Sequence, residues 1–222
     1  MPDARELIAG TSRRLSDVEA RMISHPYLAA LEDGSVPVEK LRMFPGEQHH
    51  IISSDLRSIG LLLNRHAHLP SRDYLLALLA GEASALGTIG DLASALGMSD
   101  DDLRSYEPLP GCQAYPAYVA WLAAYGSDAD FAAAFLVNLP AWGAACGRVS
   151  AALRSQYGLS ESATAFLDAF AAPAPGFEDD SLAVIQSGLD RGLDPASIAR
   201  AARMIQAYEI MYWDTLHEAL TV

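Results

Sequence analysis

The chain has 222 residues, 51% hydrophobic and 19% charged, enough for one well-cored domain and short for two. Fifteen Lys and Arg against 28 Asp and Glu leave a formal charge of −13, which excludes the basic footprint of a nucleic-acid binder or of a protein drawn to anionic membrane. No uninterrupted apolar run reaches the roughly 18–20 residues of a membrane span. The N-terminus shows no secretory pattern, and Cys112 and Cys146 make no disulfide framework, so a cytoplasmic protein is expected.

Apolar residues recur at helical spacing along the chain, two-residue alternation is absent, and good helix formers dominate. The pattern predicts helices over 4–23, 37–66, 71–97, 113–126, 129–157, 160–171, 179–191 and 195–220. His25-Pro26 stops the first, because the residue before proline is pushed out of the helical region. Pro45-Gly46 interrupts the second, predicting a kink or two helices meeting there. Leu69-Pro70 ends that segment and Ser71 is expected to cap the next. Gly97 closes the third, and Ser99 caps a short acidic turn over Asp100 to Asp102. Pro108, Pro110 and Gly111 read as a loop, as do Pro173, Pro175 and Gly176, while Asp194-Pro195 opens the last helix. No linker or repeat divides the chain, so residues 1–222 form a single all-α domain, a helical bundle.

Polar residues interrupt four apolar stripes. Glu82 lies among Leu75, Leu79, Leu86, Ile89 and Ala93, and Glu209 among Ile198, Ala202, Ile205, Tyr212 and Leu216. Gln48 and Asp55 share the inner side of a helix with Phe44, Ile51, Ile52 and Ile59. Asn138 falls between Phe131, Phe135, Trp142, Ala145 and Val149. A buried carboxylate must be paired, hydrogen-bonded or protonated, so a glutamate on such a stripe is a candidate acid or base. Bundles commonly build ligand sites from facing helices, and four inward polar positions on four helices predict a polar-floored central pocket. The aromatic residues Tyr115, Tyr118, Trp121, Tyr125, Tyr208, Tyr212 and Trp213 suit a flat ligand. The same spacing also describes plain core.

Three ordered stretches carry a family resemblance. His25-Pro26-Tyr27-Leu28, the run from Leu31 to Pro37 and Leu41 through His50 resemble the N-terminal pattern of TenA/PqqC proteins, a branch of the heme oxygenase-like fold. Leu139-Pro140 with Trp142 resembles that family's L-P-C-x-W stretch, and Tyr208 through Asp214 its closing E-x-x-F-W-D. The resemblance implies a small-molecule enzyme with a glutamate, here Glu209, on the last helix for proton transfer. The family's aspartate position falls on Gln48 and its nucleophilic cysteine on Ala141; Cys146, five residues on, does not fit the pattern. It therefore implies a variant aminopyrimidine hydrolase without the usual cysteine or, alternatively, an inactive ligand- or partner-binding relative.

The PqqC branch implies cofactor-free oxidation, with His25, Arg42, Tyr118 and His49 as contributors. A heme oxygenase-like diiron oxidase would use Glu47, His50 and Glu82. There the ligand count fails, His50 reads as solvent-facing, and no histidine lies near Glu82, so neither metal nor cofactor is expected. Glu209 and Glu82 are the candidate catalytic residues, and Gln48, His49, Asn138, Tyr118, Tyr212 and Trp142 the candidate substrate-binding set. The expected partners are a small-molecule ligand and, by family analogy, further copies of the chain in a homo-oligomer.

Overall fold

The computed structural model describes residues 3–172 and 174–221, and the sequence-predicted loop residue Pro173 lies outside them. Among the described residues the regular structure is ten α-helices and one short 3₁₀ helix, with no strand. The helices are α1 (Ala4–Ile23), α2 (Pro26–Glu32), α3 (Met43–Arg65), α4 (Ser71–Ala95), α5 (Asp100–Ser105), α6 (Pro110–Tyr125), α7 (Asp128–Tyr157), α8 (Ala165–Ala171), α9 (Phe177–Asp190) and α10 (Pro195–Glu218). The 3₁₀ helix covers Val38–Arg42 and runs directly into α3.

Helix α7 is the axis, packing against α1, α2, α8, α9 and α10, while α3 lies between α4 and α6. Every residue of α7 from Asp128 to Asn138 is buried, because neighbours surround it; a helix so enclosed shows little amphipathic pattern. Its start is set by a capping box in which the Ser127 hydroxyl accepts from the Asp130 N–H and the Asp130 side chain accepts from the Ser127 N–H. Ser99 and Asp102 form the same box at α5.

Two helices, Ser71–Ala95 and Asp128–Tyr157, carry windows long and apolar enough for a membrane span by length and composition, although polar residues interrupt both. In α7 that apolarity belongs to the core, since 83% of the window is buried. In α4 only 22% is buried, and the exposed positions are mostly small residues such as Ala77, Ala80, Gly81 and Ala83.

Several expected boundaries move for local reasons. A two-turn helix, α2, follows His25, with Pro26 at its first position and the His25 Nδ1 accepting from the Tyr27 N–H. Pro45 and Gly46 fall in the first turn of α3, where a missing N–H costs nothing, so two helices meet at Arg42–Met43 and no kink forms. Ser71 does not cap α4; its hydroxyl donates to Asp128 instead. The Pro108–Gly111 stretch is only partly a loop, because Pro110 opens α6 and Gly111 belongs to the helix. A side chain at Gly111 would strike Thr215, so α6 meets α10 closely at this point. Residues 161–164 form turns before the short α8.

Candidate functional site

A narrow, partly open cleft lies between α3, α4, α6, α7, α8 and α10. Its wall is apolar and aromatic: Ile51, Ile52, Tyr115, Phe135, Leu139, Trp142, Phe170 and Tyr212. Its polar groups are Gln48, Asp55, Glu82 and Glu209. Gln48 and Asp55 sit two helical turns apart on α3, Glu82 midway along α4 and Glu209 midway along α10. The apolar periodicity that turns each helix inward carries these side chains with it.

Glu209 is 4% exposed. Asn138 Nδ2 donates to its Oε2 at 3.4 Å, while its Oε1 and the Asn138 Oδ1 have no partner. Desolvation raises its pKa to about 7, against smaller opposing effects from Asn138 and Trp213. Asn138 stands two residues before Pro140, whose missing N–H loosens that turn of α7, and Gln206 Nε2 donates to the adjacent Val137 carbonyl at 2.9 Å. Glu82 is half-buried as a residue, but its carboxyl faces the cleft among apolar side chains, and desolvation raises it also to about 7.

Asp55 is 3% exposed and its Oδ1 is unpartnered. Burial, and then the charges of Glu82 and Glu209, push its pKa well up. No Lys, Arg or His lines the cleft. Tyr212 is fully buried with its hydroxyl unpartnered, and burial raises both Tyr212 and Tyr115. Phe44, Trp142, Tyr212 and Trp213 pack ring to ring behind the wall. Phe170 reaches the cleft from α8 because Gly143 lets that helix lie against α7; a Cβ there would come within 2.5 Å of the Phe170 carbonyl oxygen.

Glu209, Glu82, Gln48, Tyr212 and Trp142 thus share one cleft, with Asn138 against Glu209 from behind. Two candidates lie elsewhere. His49 lines a separate pocket with Asp100 and Arg104, because it follows Gln48 by one residue and so points about 100° away around α3. Tyr118 stacks on Trp121 (centroids 5.7 Å apart) and packs against Tyr208 on the half-exposed outer side of α6. The structure also adds Asp55, Tyr115 and Phe170 to the site. Asp55 was legible as an inward residue and Tyr115 as one of the aromatic set, whereas Phe170 depends on how α8 docks.

The oxidase-type candidates take structural places. His25 is buried rather than solvated, and its Nε2 lies 3.0 Å from Asp214. Arg42 donates to the Leu96 carbonyl. His50 is not free in solvent: its Nε2 donates to the Tyr106 carbonyl at 2.8 Å. Glu47 is fully buried and accepts from the Tyr106 hydroxyl and the Leu109 N–H, tying the α5–α6 loop to α3. Cys112 and Cys146 are free and buried, and desolvation raises both thiols, keeping them protonated.

Among the described residues, only His66, His68 and Asp128 bring three metal-ligating atoms within 4.8 Å of one another. The Asp128 oxygens are already taken, by Ser71, by Arg191 at 2.6 Å and by the N–H of Ala129. This group is an ion-pair junction between α4, α7 and α9, with Asp128 buried and His68 and Arg191 exposed, away from the cleft.

Comparison with known structures agrees on this architecture. A TenA homolog from Pseudomonas syringae superposes with a TM-score of 0.80 at 13% identity, covering 98% of this chain and 93% of the other. A Shewanella denitrificans domain of unknown function with a heme oxygenase-like fold gives 0.76 at 14% identity, covering 100% and 93%. A putative TenA-like thiaminase from Sulfolobus solfataricus gives 0.68 at 17% identity, covering 99% and 97%. No curated protein matches the chain by sequence. The sequence profile of the TENA/THI-4/PQQC family matches residues 12–219, and the chain belongs to that family, with its heme oxygenase-like all-α fold.

Proposed function

We propose that the protein is a small-molecule enzyme of TenA type that hydrolyses a carbon–nitrogen bond in a heteroaromatic amine, with Glu209 as the proton-transfer group and water in place of the family's cysteine. The observation that carries this reading is Glu209 itself, a buried carboxylate with one unpartnered oxygen in an aromatic-walled cleft. With a pKa raised to about 7 it is present in both protonation states near neutrality, the condition a group needs to accept and return a proton in one cycle. Water adds to the carbon that bears the amine as Glu209 takes its proton. The carbon–nitrogen bond then breaks, Glu209 returns the proton to the departing nitrogen, and ammonia leaves. Asn138 orients the carboxylate, and Trp142 and Tyr212 offer faces to the ring.

Ammonia release from a panel of aminopyrimidines and related heteroaromatic amines tests this. Turnover is expected in the wild type, rising with pH through about 7 as Glu209 ionises, and lost in Glu209→Gln. Undiminished turnover by Glu209→Gln rejects the assignment. Ala141 at the family's cysteine position supports a second reading, a ligand-binding relative without catalysis. Tight binding of a panel member recovered unchanged favours it.

A further inference from the structure

Glu209 occupies one part of the cleft, and its chemistry leaves Asp55 and Glu82 without a task. These two face the same space from α3 and α4. Asp55 is nine-tenths buried and more, and its Oδ1 has no partner inside the protein. No Arg, Lys or His lines the cavity to compensate either charge. An uncompensated buried carboxylate is costly, and a second acid facing the same space makes it costlier; Asp55 is that buried carboxylate and the half-buried Glu82 the second acid, so the arrangement suits a cation from outside.

A single metal ion does not fit. The oxygens of Asp55, Glu82 and Glu209 do not all come within 4.8 Å of one another, as one ion would require, and no histidine joins them. A polyatomic cation matches separated acceptors better. An ammonium has three donors to spread over separated acceptors, and its short stem suits the apolar wall of Ile51, Ile52 and Phe135.

We propose that Asp55 and Glu82 form an anchoring subsite for an aliphatic ammonium group, so that the substrate is a small amine with a second basic nitrogen placed toward Glu209. This rests on the cleft being a small-molecule site and is separable from the chemistry assigned to Glu209. Asp55 and Glu82 are binding residues; neither exchanges a proton with the reacting carbon.

Isothermal titration of the whole protein at pH 7.5 tests the subsite with 1,4-diaminobutane, 1-aminobutane and 1,4-butanediol as probes. The diamine is expected to bind at least about tenfold more tightly than the monoamine, and the diol not at all. Asp55→Asn and Glu82→Gln should each weaken diamine binding by about ten- to a hundredfold, the range expected for losing a charged hydrogen bond. Both changes are isosteric, and thermal melts report whether each variant folds. Equal affinity for diamine and diol overturns the proposal even if a variant fails to fold, as does a folded double variant that binds the diamine like wild type. Diamine binding lost on Asp55→Asn while no carbon–nitrogen bond is hydrolysed upholds the subsite and sinks the reading of Glu209. Hydrolysis of uncharged heteroaromatics with no preference for amines does the reverse.

Discussion

Asp128 and Glu209 are both carboxylates in the same helical core, 1% and 4% exposed, and they are treated in opposite ways. Around Asp128 the protein supplies a hydroxyl from Ser71, the Arg191 guanidinium and the N–H of Ala129. Burial alone would raise its pKa, but these partners more than offset that and hold it below 3.8. Around Glu209 the protein supplies a long bond from Asn138, the Trp213 indole and a wall of rings, and desolvation outweighs them and carries the pKa to about 7. Asp55 and Glu82 are raised in the same way. A fold that can satisfy a buried acid this fully at one junction leaves a buried oxygen of both Asp55 and Glu209 without a partner at one cleft, with the half-buried Glu82 facing the same space. That contrast is what marks the cleft as a site for something else to bind.

Four experiments press on this contrast. The largest effect is expected for Glu209→Gln, which should lower turnover by about 10²–10⁴-fold while leaving the melting temperature at pH 8 unchanged or higher, since a desolvated charge is removed. A marked loss of stability would mean that Glu209 is structural, like Asp128. Second, Asp128→Ala should cost about 3 kcal/mol in denaturant unfolding, because it strips the partners from Ser71 and Arg191 in one step. A loss under about 1 kcal/mol would erase the distinction.

Third, the two regions titrate in opposite senses. Glu209 and Glu82 have folded pKa values raised from 4.5 to about 7, so their contribution is fully present below about pH 4.5 and is lost as pH rises through about 7. Asp128, being lowered, contributes above about pH 3.8 and loses that contribution as pH falls further. Chemical denaturation of wild type should therefore show stability declining by on the order of 1–3 kcal/mol between about pH 5 and 8. The decline should flatten in the Glu82→Gln, Glu209→Gln double variant, and a flat wild-type profile would contradict the raised values. The smallest effect is expected for Asp55→Asn, which should raise stability at pH 8 by about 1 kcal/mol by removing a carboxylate that feels both Glu82 and Glu209. A decrease would show that Asp55 has a partner within the fold.

Much of the architecture is readable along the chain. Apolar residues at helical spacing locate α1, α3, α4, α7, α9 and α10, and Ser99 and Asp194 announce their caps. Glu82, Glu209, Gln48, Asp55 and Asn138 stand out because each interrupts an inward stripe, a property of one helix and its own period. Helix α2 is hidden because its seven residues are too few for a periodic signal. Pro110 misleads for a different reason, since the residue that breaks a helix interior also opens one.

The amino-acid order alone determines that this chain is a set of amphipathic helices carrying acids on their buried sides, because side-chain direction follows from the 3.6-residue turn. Whether such an acid is satisfied or left bare was decided only in three dimensions. Asp128 finds Arg191 across 63 positions of chain, and Glu209 finds Asn138 across 71. His49 and Tyr118, polar or aromatic residues next to the right faces, turned out to look elsewhere. Partners distant along the chain meet only when the helices pack, and a carboxylate's pKa reports that meeting, not its own position in the sequence.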